Sequence, residues 1–174
     1  MVIGLGHTAR VGKDTVGSIL REEHGFYQMA FADALRGFVF ATNSEVAGVV
    51  KAVGWEQAKT MHPFVRRTLV EVGNHARDIL GEDVWINAAF KRAAGHEDVV
   101  ITDVRYPNEA QAITQNPWGF LVKVTRPGYG PLDNVADLAL ASFNCWDAEI
   151  HNDGTVEDLR GRVAIMVDDL RLMT

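Results

Sequence analysis

The sequence has a single cysteine, Cys145, so no intramolecular disulfide can form. No cluster of cysteines and histidines has the spacing of a structural zinc site, and the six histidines show no metal-type pairing. Cys145 stands in the apolar stretch 140–146, which predicts a buried small hydrophobe rather than a reactive thiol. Basic residues are also in short supply. Seventeen Lys and Arg face 23 Asp and Glu, for a net charge of −6. Proteins that coat duplex DNA or RNA are ordinarily basic, so no nucleic-acid polymer is expected as a partner. No window reaches the ~18 apolar residues of a membrane span, so no membrane is expected either. The opening Met-Val-Ile-Gly-Leu-Gly carries no basic leader and reads as a strand. The expected location is the cytoplasm.

What is present fits one compact domain. Of the 174 residues, 47% are hydrophobic, enough for a sizeable core. Apolar runs at 2–5, 99–102 and 120–125 predict buried strands, and two further strands are expected at 26–31 and 149–151. Helical periodicity predicts helices at about 13–23, 64–80, 84–94, 109–115 and 157–172, and one beginning near Asp33 as its cap. In the helix over 64–80, Val65, Leu69, Val72, Ala76 and Ile79 share one face. Residues 43–61 read as helical pieces and a loop. Residues 103–109 read as a polar loop, and 128–144 as an irregular segment long enough for a flap. Strands alternating with helices predict an α/β fold with a parallel sheet covered on both faces.

The segment Gly6-His7-Thr8-Ala9-Arg10-Val11-Gly12-Lys13-Asp14-Thr15 joins the first strand to the first helix. That is the context of a phosphate-binding loop. Backbone N–H groups and the helix dipole would face the phosphates, Gly12 would let the backbone approach, and Lys13 would supply charge. The loop departs from the common pattern. Five residues rather than four separate Gly6 from Gly12, His7 stands where the first glycine would be, and Asp14 replaces the usual hydroxyl. Asp14, directly or through water, and Thr15 are the candidate Mg²⁺ ligands.

Phosphoryl transfer needs several cations along an in-line path. Arg10, Arg36, Arg66, Arg67, Arg77, Arg105 and Arg126 are candidates. Asp103 and Arg105 follow the strongest internal strand, where open parallel sheets bind ligands. Asp103 suits a place near Mg²⁺ or the acceptor, and equally a turn or cap. Arg126 follows the next strand and precedes Pro-Gly, so it can move with a flap. Trp85, Tyr106 and Phe31 can stack on a base, though Trp85 and Phe31 also suit a core.

Seven motifs occur in order: Gly-Lys-Asp-Thr at 12–15, Phe-Ala-Asp-Ala-Leu-Arg at 31–36, Val-Arg-Arg-Thr-Leu at 65–69 with Gly-Glu-Asp-Val-Trp-Ile at 81–86, Thr-Asp-Val-Arg-Tyr-Pro-Asn-Glu at 102–109, Val-Thr-Arg-Pro-Gly at 124–128, and Ile-His-Asn-Asp-Gly-Thr at 150–155. Across nearly the whole chain this set resembles the phage-type deoxynucleoside monophosphate kinases. The resemblance implies a three-layer P-loop kinase fold in a single domain over 1–174, with a helical nucleotide-binding region near 31–80 and a lid near 126–146. It implies conversion of dNMP to dNDP with ATP and Mg²⁺, in the host cytoplasm if a phage encodes the chain. By position, Arg10, Gly12, Lys13, Asp14 and Thr15 would hold ATP phosphates and metal, and Asn152, Asp153 and Gly154 would lie near the adenine. Arg36, Arg66 or Arg67, and Arg105 would hold the acceptor phosphate. Trp85, Tyr106, Asn108 and Glu109 would lie near the acceptor sugar or base, and Arg126 would serve the lid.

The lid segment lacks the run of basic residues common in nucleotide kinases. Related enzymes are often dimers, and the apolar face of 64–80 suits either core or a homodimer interface. Two other readings keep the loop: a kinase for another small acceptor such as dephospho-coenzyme A, and a nucleotide-binding protein that phosphorylates nothing.

Overall fold

Five short strands, rich in β-branched and apolar residues, build one parallel sheet. They are β1 (Val2–Gly6), β2 (Tyr27–Met29), β3 (Val99–Val104), β4 (Gly119–Thr125) and β5 (Ala148–His151). Their order in the sheet is β2-β3-β1-β4-β5. The computed structural model describes residues 1–6, 8–130, 139–140 and 143–174. The chain divides into two compact units, one of residues 1–30 and 93–174, the other Phe31–Arg92.

The first unit holds the sheet between two helical layers, as the alternation of strands and helices predicts. Helix α1 (Lys13–His24) returns the chain from β1 to β2, and α6 (Pro107–Thr114) carries it from β3 to β4. These crossovers run in opposite directions along the sheet. Right-handed connections therefore put their helices on opposite faces. The side chains agree. Ile3 and Leu5 are fully buried among Val16, Ile19 and Leu20 of α1 and Leu159, Val163 and Val167 of the terminal helix α7 (Val156–Arg171). Gly4 faces the other way, and a Cβ there would meet Ile113 of α6 and Val104 of β3. From β1 and β4 the chain turns away in opposite directions, the kind of switch point beyond whose C-terminal strand ends open parallel sheets bind ligands.

The second unit is helical: α2 (Ala32–Thr42), α3 (Ser44–Met61), α4 (Pro63–Leu80) and α5 (Val84–Ala93, whose last residue falls outside the unit). Its core gathers Val39, Val46, Val50, Ala58 and Val65. The helical pieces expected over 43–61 are two segments that meet at a kink within α3, with no loop between them. Asn43 caps α3 through Oδ1 to the Val46 N–H, and Gly54 bends it with φ 77° and ψ 165°.

Several local expectations are corrected. Asp33 does not cap α2: Phe31 holds the cap position, and Asp33 lies in the first turn, paired with Arg36. Asp103 and Val104 continue β3, so the turn after that strand is shorter than the loop expected over 103–109. Ile79 is 79% exposed and not on the buried face of α4. Cys145 is exposed rather than buried.

Candidate active site

Strand register brings the chemistry of the first unit to one sheet edge. Gly6, the last residue of β1, pairs with Val104 of β3 and Lys123 of β4, while Thr125 pairs with His151 of β5. The segments beginning at 8, 105, 126 and 152 therefore all start from the same end of the sheet.

The loop into α1 has an unusual backbone. Arg10 has φ 65°, the one positive value on a non-glycine among the described residues, and Gly12 has φ 101°. Left-handed residues alternating with right-handed or extended ones turn successive N–H groups to one side, which makes a concave nest for anions. Helix α1 opens at Gly12 with no side-chain cap, so its first-turn N–H groups and dipole face outward. The Lys13 Nζ donates to the Thr8 carbonyl, folded back across the loop. Thr8 and Val11 are fully buried and anchor the loop, while Arg10, Asp14 and Thr15 lie at its rim. His7 lies outside the described residues.

Two contacts at this loop have no signal in the local sequence. The Trp146 ring lies against Gly6, where a Cβ would come 2.5 Å from Cη2. The Asn152 side chain donates from Nδ2 to the Val11 carbonyl at 2.9 Å. Asp153 pairs with Arg162 at 2.6 Å. That hydrogen bond holds the Asp153 carboxyl below the usual carboxylate range. Arg162 also donates to the His151 carbonyl. Gly154 packs against Asp158, and a Cβ would come 2.6 Å from its Oδ2.

At the end of β3, Arg105 is exposed and Asp103 half-buried. The turn is held by Glu109, which is 7% exposed and accepts from the backbone N–H of Arg105 (2.7 Å) and of Tyr106 (3.1 Å) through Oε2. Glu109 thus shapes the turn that presents Arg105. Asn108 lies in the first turn of α6. At the end of β4, Arg126 sits over the Tyr129 ring at 5.0 Å in a turn closed by the Tyr129 N–H to the Arg126 carbonyl. Most of the expected lid beyond residue 130 lies outside the described residues.

In the helical unit, Arg36 pairs with Asp33 at 3.2 Å, and Arg66 and Arg67 are exposed in the first turns of α4. The Lys59 hydrogen bond, and more weakly the charge of Arg36, lower the Glu56 pKa. Both aromatic candidates in this unit are packed away. Trp85 is 9% exposed, donates from Nε1 to the Gly73 carbonyl at 3.2 Å, and meets Phe38 edge to face. Phe31 is 2% exposed and meets Phe90 edge to face. Neither offers a free ring face for a base to stack on.

The motif resemblance is matched by a full-length relative. The chain is 26% identical over 193 aligned residues to a protein of Acanthamoeba polyphaga mimivirus named "Putative deoxynucleotide monophosphate kinase", covering 99% of both. No family model matches the chain. Among solved structures, the shikimate kinase of Aquifex aeolicus aligns over 99% of both chains at 17% identity with a TM-score of 0.45. A sugar kinase from Janibacter sp. HTCC2649 aligns over 97% of this chain and 94% of its own at 15% identity and 0.47.

Proposed function

We propose that this chain is a kinase that transfers the γ-phosphate of ATP to the 5′-phosphate of a deoxynucleoside monophosphate. The observation that carries the reading is the loop 8–13. It combines left-handed Arg10 and Gly12, an uncapped helix start and a lysine folded across the loop, at the C-terminal end of the central strand. The choice of acceptor rests on the ordered motifs and on the name of the full-length relative.

The residues at the loop fit a nucleotide triphosphate. The loop N–H groups, Arg10 and Lys13 would hold the phosphates, and Asp14 and Thr15, in the first turn of α1, would hold Mg²⁺ together with phosphate oxygens. The ion, when bound, neutralises charge on the transferred group. Arg105 and Arg126, at the ends of β3 and β4, add positive charge, and Asp103 has the place of a carboxylate near metal or acceptor. Arg36, Arg66 or Arg67 take the acceptor phosphate in this reading. Glu109 presents Arg105, with Tyr106 and Asn108 beside it. The acceptor is already an anion, so no strong general base is required. Rate comes from alignment and charge neutralisation.

A coupled ADP-release assay with ATP, Mg²⁺ and, one at a time, the four dNMPs, the matching NMPs and dephospho-coenzyme A tests the proposal. ADP release that depends on a dNMP is the expected result. Release with dephospho-coenzyme A alone would change the acceptor. Slow release that ignores every acceptor would replace the kinase with a nucleotide-binding protein.

A further inference from the structure

The motif resemblance puts Asn152 near the adenine of ATP, but its hydrogen bonds lead to the phosphate loop. Its side-chain Nδ2 donates to the Val11 carbonyl at 2.9 Å, across 141 residues of sequence. Its own N–H donates to the Thr125 carbonyl at 2.7 Å, which ties it to the end of β4. The carboxamide also fills the space beside Gly12, where any Cβ would overlap Nδ2. We infer that Asn152 is a positioning residue that fixes the Val11–Gly12 peptide in its phosphate-binding orientation. The inference rests on the kinase reading and deepens it.

The peptide geometry gives the reason. The chain has no cis peptide bond among the described residues, so the Val11 carbonyl and the Gly12 N–H point in opposite directions across one plane. A donor that holds the carbonyl on one side therefore holds the Gly12 N–H on the other. Gly12, with φ 101°, is free to flip if nothing holds the preceding carbonyl. Val11 is fully buried, so its carbonyl has little access to water as a substitute partner. Asn152 supplies that partner from a place set by strand pairing. The loop's orientation is thereby linked to the register of β4 and β5.

The test uses a ligand without a base. Wild type, Asn152→Ala and the near-isosteric Asn152→Asp are titrated with ATP and with inorganic tripolyphosphate, each with Mg²⁺, by calorimetry. Circular dichroism and thermal melts check that each variant folds. The expected result is a loss of roughly five- to tenfold in affinity, equal for ATP and tripolyphosphate, from removing one hydrogen bond. Asn152→Asp should lose at least as much as Asn152→Ala, because its carboxylate faces the Val11 carbonyl. In turnover, KM for ATP should rise while KM for the acceptor stays unchanged. A loss seen with ATP but not tripolyphosphate would make Asn152 a base contact and overturn the inference. So would unchanged affinity in both variants. If either variant fails to fold, the other decides by the same comparison. If neither folds, the Gly12 amide of wild type decides: it should shift in NMR on tripolyphosphate addition, and a silent amide overturns the inference. Wild type that binds neither ligand would defeat the kinase reading itself, a result distinct from all of these.

Discussion

At the scale of single residues, the proposed phosphate loop gives two neighbours different roles. Lys13 supplies charge, so Lys13→Met should fold normally and lower turnover at least a hundredfold, as read by the ADP-release assay. Gly12 supplies space and backbone freedom. Gly12→Ala would hold an L residue at φ 101° and press its Cβ onto the Asn152 amide. Strain of about 1–2 kcal/mol at that residue should weaken ATP binding tenfold or more while the sheet stays intact. A third residue gives a pH dependence. Asp158 accepts from the Thr155 hydroxyl and N–H at the start of α7, and these bonds lower its pKa. A carboxylate with a depressed folded pKa adds stability above its unfolded value, about 3.9. That contribution is lost as pH falls through the folded value. The amides at 155–158 should therefore begin to fray only below about pH 4 in an NMR titration. Asp158→Asn should remove that acid step.

At the scale of elements, the strands were legible because parallel strands buried on both faces must be apolar throughout. Within Val99–Val104 the stretch 99–101 is such a run, and within Gly119–Thr125 so is 120–122. Helix α1 was legible from Lys13 and from Gly25, which ends it in the left-handed region. Less was legible where the outcome depends on distant neighbours. Ile79 fits the apolar stripe of α4 by spacing, yet lies exposed near the end of the helix. Gly54, outside helical φ/ψ, kinks α3 within the stretch expected as helical pieces and a loop. The candidate site divides in the same way. Loop residues 8–15 are contiguous and visible in sequence, whereas the bond from Asn152 to Val11 joins positions that no local pattern relates. Two glycines show how element context sets the sign of one substitution. A Cβ at Gly119, where β4 begins, would overlap the Ile113 carbonyl oxygen of α6, a backbone atom that cannot move alone. Gly119→Ala should cost about 2 kcal/mol or more in denaturant unfolding. Gly161 sits inside α7, and a Cβ added there would meet nothing within 4 Å beyond its own helix. There Gly161→Ala should stabilise by about 0.5–1 kcal/mol.

At the scale of the whole molecule, the sheet unit and the helical unit divide the candidate residues. The phosphate loop, Asp103, Arg105, Arg126 and Asn152 belong to the first, and Arg36, Arg66 and Arg67 to the second. This division makes the donor and acceptor roles separable by experiment. A ligand that binds only the folded chain raises its stability by mass action, about 2.7 kcal/mol at a hundredfold excess over Kd. For a chain of this size each kcal/mol moves Tm by about 2–4 °C. Saturating ATP with Mg²⁺ should therefore raise Tm by roughly 5–10 °C. Tripolyphosphate should reproduce part of that rise, because its contacts are to the loop alone. Lys13→Met should abolish most of both shifts. Arg66→Ala with Arg67→Ala should leave them intact, since neither residue belongs to the unit that carries the loop, and should instead raise KM for the acceptor. A double Arg66, Arg67 variant that lost its ATP-induced shift would mean that the helical unit holds the donor, and the assignment of roles to the two units would have to be reversed.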